Sequence, residues 1–199
     1  MSKTDRIPNP WGSFLRELDD IAAGTVDFHC IGGFVVNTKY GFSSRQTFDI
    51  DVLAITPSTQ RLEFLEHAAQ GSVLHRKHGV YLDLVTVIQA YPENYDQRLA
   101  EIYAGQLKKI RLFAVEPHDL ALMKLGRNAE RDRVDVLFLA SQGLVTPEEL
   151  ERRYRAEMRS YIGVPERSTD ITLQLWVSMI KEEALARDSG AKNRSGSSA

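Results

Sequence analysis

The tightest constraint on the fold comes from the stretch Phe48 to Ile55. Phe48, Ile50 and Val52 alternate there with Asp49, Asp51 and Leu53, and a period of two marks a β-strand with one apolar face. The opposite face then carries two carboxylates about 7 Å apart along the backbone. Like charges so placed repel, and aspartate fits a pleated surface poorly. A chain that keeps both must cover one side of the strand with core and leave the other to something that neutralises charge. A third acid, Asp83, interrupts the β-branched run from Val80 to Ile88 in the same way.

The elements around these acids follow from periodicity and punctuation. Phe14, Leu15, Leu18, Ile21 and Ala22 recur at helical spacing and predict a helix over Trp11 to Ala23, with Ser13 as N-cap. Val26 to Ile31 reads as a strand running into Gly32-Gly33, a glycine turn that opens a helix to about Tyr40. Pro57 ends the acidic strand, and a helix is expected from Thr59 to Ala69. Strands are expected at Val80 to Ile88 and Leu112 to Val115, with His75 and His78 in a loop before the first of them. Pro117 and Asp119 start a helix through Leu125, and the charged stretch Arg127 to Asp135 leads on into Val136 and Leu139. Thr146 caps a further helix with Pro147 at its first position, and Ile171 to Ala186 forms the last. This order predicts an α+β core over residues 11–115, a small mixed sheet flanked by helices, followed by a helical part over 116–188. Residues 1–10 and 189–199 are expected to be flexible ends.

Composition narrows the class of partner. Across 199 residues, 25 Lys and Arg stand against 27 Asp and Glu, so no global field advertises nucleic acid or membrane. Residues 1–97 hold 8 basic and 12 acidic side chains and residues 98–199 hold 17 and 15, so the two signs lean to different halves. A single cysteine, Cys30, excludes an intrachain disulfide, and the opening residues lack the apolar run of a signal peptide. No apolar stretch approaches the roughly 20 residues that cross a bilayer. The expectation is a cytoplasmic chain with no membrane partner.

Paired carboxylates on one strand face have a chemical use. A hard divalent cation, Mg²⁺ or Mn²⁺, relieves their repulsion, and Asp49, Asp51 and Asp83 with open positions for phosphate oxygens suit phosphoryl or nucleotidyl transfer. Gly32-Gly33 complements them, because a backbone without side chains lets a triphosphate approach the N–H groups of a helix start. Read alone, a glycine pair is an ordinary turn and an Asp-x-Asp strand is an exposed sheet face. Downstream, Lys124, Arg127 and Arg131 fall at spacings of three and four, which predicts one cationic helical stripe beside Asp132 and Asp135.

In combination these residues resemble the nucleotidyltransferase superfamily of the DNA polymerase β type, whose pattern is a Gly-Gly or Gly-Ser helix start, Asp-x-Asp on the next strand and a later third acid. Here Gly32-Gly33, Asp49-Ile50-Asp51 and Asp83 take those places. The pattern Arg45-x-Thr47-x-Asp49-x-Asp51, followed by Leu120 to Leu125 and Arg131-Asp132-x-x-Asp135, looks closest to bacterial stand-alone enzymes related to AbiEii-type toxins. Gly33 stands where many relatives carry serine. The resemblance implies catalysis by Asp49, Asp51, Asp83 and Lys124, with the three aspartates as metal ligands. It implies contacts to the nucleoside triphosphate (NTP) and its Mg²⁺ from Gly32, Gly33, Arg45, Thr47, Lys124, Arg131, Asp132 and Asp135. Asp132 or Asp135 then either acts as a base on the acceptor or pairs with the arginines. The acceptor it implies is RNA such as tRNA, or protein, with a cognate antitoxin encoded alongside. A small-molecule acceptor of the aminoglycoside kind, or a non-catalytic nucleotide-binding or partner-binding module, are the competing expectations.

Other candidates carry less. His29 reads as a half-buried strand histidine or a residue approaching the nucleotide, and Cys30 as a small buried hydrophobe. Arg152, Arg153, Arg155 and Arg159 form either a solvated helix balanced by Glu148, Glu149, Glu151 and Glu157 or a phosphate-contacting patch.

Overall fold

The structure, a computed structural model, describes residues 6–86, 90–160, 162 and 167–195, with side chains for all of these except 167 and 186–195. Two compact units emerge, one of Met1–Val87 with Asp96–Glu116 and one of Ile88–Tyr95 with Pro117–Ala199.

The first unit runs α1 (Trp11–Ile21), β1 (Val26–Cys30), α2 (Gly32–Thr38), β2 (Asp49–Thr56), α3 (Arg61–Ala68), α4 (Val73–His78), β3 (Tyr81–Leu84), β4 (Ala100–Ile102) and β5 (Ile110–Ala114). Its five strands form one mixed sheet in the order β3-β2-β1-β5-β4. β1 lies antiparallel to β2 and parallel to β5, β2 is parallel to β3, and β4 is antiparallel to β5. This is the α+β sheet with flanking helices expected from the sequence.

The core explains why the acidic strand sits as it does. Ile50 and Val52 are fully buried with Phe28, Phe34 and Leu82, while Asp49 and Asp51 on the alternate face are only half-buried. Phe28 of β1 meets Phe64 of α3 edge to face at 5.3 Å, which holds that helix to the sheet, and Trp11 of α1 meets Phe34 of α2 at 5.6 Å, which joins the two helices. Phe48 departs from the alternation: it is 66% exposed, because β2 begins at Asp49 and the apolar face is covered only from Ile50 onward.

Several elements differ from expectation. α1 starts at Trp11 behind Pro10 with no side-chain cap, and the Ser13 hydroxyl instead donates to Asn9 Oδ1 at 3.0 Å. His75 and His78 belong to α4, where the Ser72 hydroxyl accepts from the His75 N–H at 3.2 Å and Gly79 ends the helix at φ +72°. The strand expected to reach Ile88 ends at Leu84, with residues 87–89 outside the described ones. The β4–β5 pairing was not expected. The lead-in is docked at Ile7, which is buried and whose N–H donates to Gln106 Oε1 at 2.9 Å.

One buried acid closes this unit. Asp19, 3% exposed on α1, accepts from the N–H groups of Lys108, Lys109 and Ile110 at 2.7 to 2.8 Å, fixing the start of β5 beside β1.

The second unit is helical among the described residues: α5 (Pro117–Lys124), α6 (Glu130–Ser141), α7 (Pro147–Arg153) and α8 (Arg167–Ser195). Thr146 caps α7 as expected, its hydroxyl accepting from the Glu149 N–H. A π-helical turn, Tyr154–Met158, follows α7. α8 continues past Ser189 to Ser195, into the segment expected to be flexible. Residues 1–5 and 196–199 of the expected flexible ends lie outside the described residues. Among the described residues no helix is long and apolar enough to cross a membrane.

Replacing Asp19 by alanine leaves three backbone donors without their charged acceptor, and urea denaturation is expected to show a loss of about 3 kcal/mol. A loss under about 0.5 kcal/mol, the scale of an ordinary surface change, would contradict that role.

Candidate active site

The glycine pair and the acidic strand meet through backbone pairing. The Ile31 N–H donates to the Asp51 carbonyl at 2.9 Å, which extends the β1–β2 ladder by one bond and brings Gly32 against Asp51. A bulge between His29 and Cys30 shifts the register just before this contact, the kind of local kink that re-aims a strand end. Gly32 has φ +70°, and a Cβ built there would stand 1.7 Å from Asp51 Oδ2. Both conformation and space therefore require glycine. The backbone at the start of α2 and the Asp51 carboxylate share one small volume.

Gly33 is close-packed in a different way. A Cβ there would lie 3.0 Å from Thr47 Oγ1 and 3.2 Å from Arg45 Nη2. The Thr47 hydroxyl thus occupies the neighbourhood that a serine side chain at this position would enter, and it donates a short hydrogen bond to Asp49 Oδ1. The segment carrying Arg45 and Thr47 is held by Asn37, whose amide donates to the Arg45 carbonyl at 2.9 Å. Asn37 was not singled out in the sequence, where only its position near the end of α2 was visible.

β2 and β3 run in parallel with Asp51 opposite Asp83 and Asp49 opposite Tyr81. In-register neighbours on one side of a sheet place Asp49, Asp51 and Asp83 on the same face. Asp83 is the exposed member. Among the described residues no group of three or more His, Cys, Asp or Glu side chains is arranged to hold a metal ion. The donor set nonetheless fits Mg²⁺, which is commonly bound by one or two carboxylates together with substrate phosphates rather than by a complete protein cage. Asp49 and Asp51 are hard oxygen donors on one face, and the Asp51 carboxylate lies directly against the bare backbone at Gly32.

His29 is half-buried in β1 with its ring 6.4 Å from that of Phe113, and burial lowers its pKa, so the neutral imidazole is favoured. Cys30 is fully buried, and burial pushes its thiol far up. It behaves as a small hydrophobe.

The second unit holds the remaining residues, and here the single cationic stripe is corrected. α5 ends at Lys124, Asn128 takes φ +45°, and α6 begins only at Glu130. Lys124, Arg127 and Arg131 therefore lie on a helix end, a turn and a second helix. Trp176 Nε1 and Arg133 Nη1 both donate to Asn128 Oδ1, at 2.9 and 3.2 Å, and pin that turn.

Lys124 is 6% exposed, and its ammonium donates to Asp132 Oδ1 at 3.0 Å and Asp135 Oδ2 at 2.8 Å, both carboxylates being fully buried. Arg127 forks onto Asp132 at 2.6 and 2.8 Å, and the Ala129 N–H adds a fourth donor at 3.1 Å. Burial alone would raise the Asp132 pKa, but the Arg127 hydrogen bonds and the Lys124 and Arg127 charges outweigh it and bring it down to about 2. Such a carboxylate is a poor base. Of the two roles expected for Asp132, pairing with the cations is the one its contacts support. Arg131 is exposed on α6.

The four arginines of the α7 region are engaged with acids. Arg152 pairs with Glu149, Arg155 with Glu151 and Arg159 with Asp170, while buried Arg153 bridges Asp119 and Glu157. This is the balanced helix rather than an open phosphate patch.

Among families of known sequence pattern, the model of a family described as a nucleotidyltransferase of unknown function (DUF6036) matches residues 15–184. No curated protein and no solved structure matches the chain.

The Asp132 cluster sets a pH dependence. Its carboxyl sits below the usual 3.8 in the folded chain, so its stabilising contribution is complete above about pH 4 and is lost as pH falls towards 2. Urea midpoints followed from pH 5 to pH 2 are expected to fall in that window, and Asp132→Asn is expected to be less stable at pH 5 with a flatter profile. An Asp132→Asn profile parallel to wild type would contradict this.

Proposed function

The chain belongs to this family of nucleotidyltransferases of unknown function, and from that premise we propose that it moves a nucleoside monophosphate from an NTP onto an acceptor hydroxyl, with release of pyrophosphate. The observation that carries the reading is the apposition of Gly32 and Asp51, where a side chain is excluded and a carboxylate faces bare backbone. In this reading the helix start at Gly32 and Gly33 receives the triphosphate. Arg45, next to Gly33, balances phosphate charge, and Thr47 orients Asp49 through its hydroxyl.

Asp49 and Asp51, with Asp83 beside them, would hold Mg²⁺ or Mn²⁺. When bound, such an ion supplies neutralisation of charge on the phosphate oxygens. The acceptor oxygen forms its bond to the α-phosphorus as the bond from that phosphorus to the pyrophosphate oxygen breaks. In this reading Asp83, exposed and opposite Asp51, takes the acceptor proton. Lys124 with Asp132, Asp135 and Arg127 serves as the internal brace of the helical unit. Its ammonium charge is already matched by two buried carboxylates.

Within the superfamily we place the chain beside the AbiEii-type toxins, on the spacing from Arg45 to Asp51 and from Arg131 to Asp135. That placement supports RNA such as tRNA, or a protein, as acceptor, and a cognate antitoxin as partner.

The test is label transfer. Purified protein with Mg²⁺ and each α-labelled triphosphate is incubated with total RNA and with lysate, beside Asp51→Ala. Wild type is expected to label an acceptor in one arm, with the variant reduced by at least about 10²-fold, the scale for loss of an electrostatic group at a transfer site. Equal labelling by the two proteins would sink the assignment.

A further inference from the structure

The other end of α2 lines a cavity that the transfer reading does not use. About 940 Å³ of space lies between the lead-in to α1, the end of α2 and the segment after β4, all in the first unit. Arg6, Arg16 and Lys39 line it with exposed side chains, and Glu101 is the sole acid among its lining residues. α2 has seven residues, so this cavity sits about 10 Å along the helix from the Gly32 turn.

We propose that this cavity is a second binding site, distinct from the Gly32–Asp51 site, and that its ligand carries phosphate groups. Three cations facing one space repel each other, and an anion that bridges them removes the repulsion. Elsewhere on the same unit two surface cations meet carboxylates, Lys77 with Glu17 at 2.7 Å and Arg111 with Asp27 at 2.6 Å, while Arg76 donates to the Gly71 carbonyl. Among the described residues Arg6 and Lys39 make no such pair, and Arg16 makes none either, donating instead to the Ser13 hydroxyl at 3.3 Å. Two arginine forks suit phosphate oxygens, which accept bidentate hydrogen bonds. The volume falls within the range of about 300 to 1,000 Å³ for small-ligand sites.

The walls are built rather than left open by loose loops. The Tyr103 hydroxyl donates to the Thr38 carbonyl at 3.1 Å and the Tyr40 hydroxyl to the Val115 carbonyl at 2.7 Å, so both rings are held in place. Tyr103 itself takes φ +55°, an uncommon conformation for a residue with a bulky side chain. Gln106, also lining the cavity, ties the lead-in to this wall through Ile7.

Phosphate can come from a free polyphosphate or from a nucleic-acid backbone, and the experiment separates the two. Hydrogen exchange of the full chain is followed with inorganic tripolyphosphate in one arm and a short single-stranded oligoribonucleotide in the other. Wild type, Arg16→Ala/Lys39→Ala and Asp51→Ala are compared. Both replaced cations are exposed, so the double variant is expected to keep the wild-type melting temperature.

Protection of amides at 38–41 and 103–106 by either probe, lost in the double variant and kept in Asp51→Ala, supports the site and identifies the source. With the oligoribonucleotide, the double variant is also expected to bind at least tenfold more weakly. Its slope of log affinity against log salt is expected to be shallower by roughly 1.4, two contacts at about 0.7 each. Absence of protection with both probes, or equal protection in the double variant, overturns it. Because Asp51→Ala is expected to keep this protection, failure here and failure of the transfer assignment are separately visible.

Discussion

An oxygen of the Asp51 carboxylate stands where the Cβ of any residue but glycine at position 32 would be. That close approach organises the first unit. It needs β1 and β2 to pair antiparallel through the Ile31 to Asp51 bond, α2 to start with φ +70°, and the apolar face of β2 to be sealed by Phe28, Phe34 and Leu82 so that its acids face the other way. Remove the glycine and the strand, the turn and the carboxylate cannot keep their places together. Arg45 and Thr47 close around Gly33 on the same side, steadied by Asn37.

The second unit is organised by charge instead of close approach. Lys124, Asp132 and Asp135 form a buried cluster at the junction of α5 and α6 that exposed Arg127 joins through Asp132, and Arg153 bridges Asp119 and Glu157 between α5 and the α7 region. Breaking one partner of such a network strands a buried charge, which is far costlier than the loss of an exposed pair. Their contacts make them one set within the helical unit, which the spacing of the residues alone did not show.

What was legible in the sequence follows from which signals are local. The β1–glycine–α2–β2 order could be read because period-two alternation and a glycine pair are written in consecutive residues. The Thr146-Pro147 helix start could be read for the same reason. α4 and β4 escaped because six and three residues are too short to show a period. The break between α5 and α6 escaped because Lys124, Arg127 and Arg131 keep helical spacing across a turn that Asn128 makes in a left-handed conformation. Asp19 looked like one more charge on an amphipathic helix, yet its partners lie 89 to 91 residues away. The apposition of Asp51 and Asp83 depends on the β2–β3 register, which no single segment specifies.

At the centre of the proposed function, the carboxylate face beside Gly32 takes a divalent ion together with triphosphate. Electron paramagnetic resonance of Mn²⁺ titrated into the protein, with and without a non-hydrolysable NTP analogue, tests it most directly. Weak Mn²⁺ binding is expected for the protein alone, tighter binding by at least about tenfold when the analogue is present, and loss of that gain in Asp49→Asn and Asp51→Asn. Mn²⁺ binding that ignores the analogue, or a gain that survives both substitutions, would contradict it.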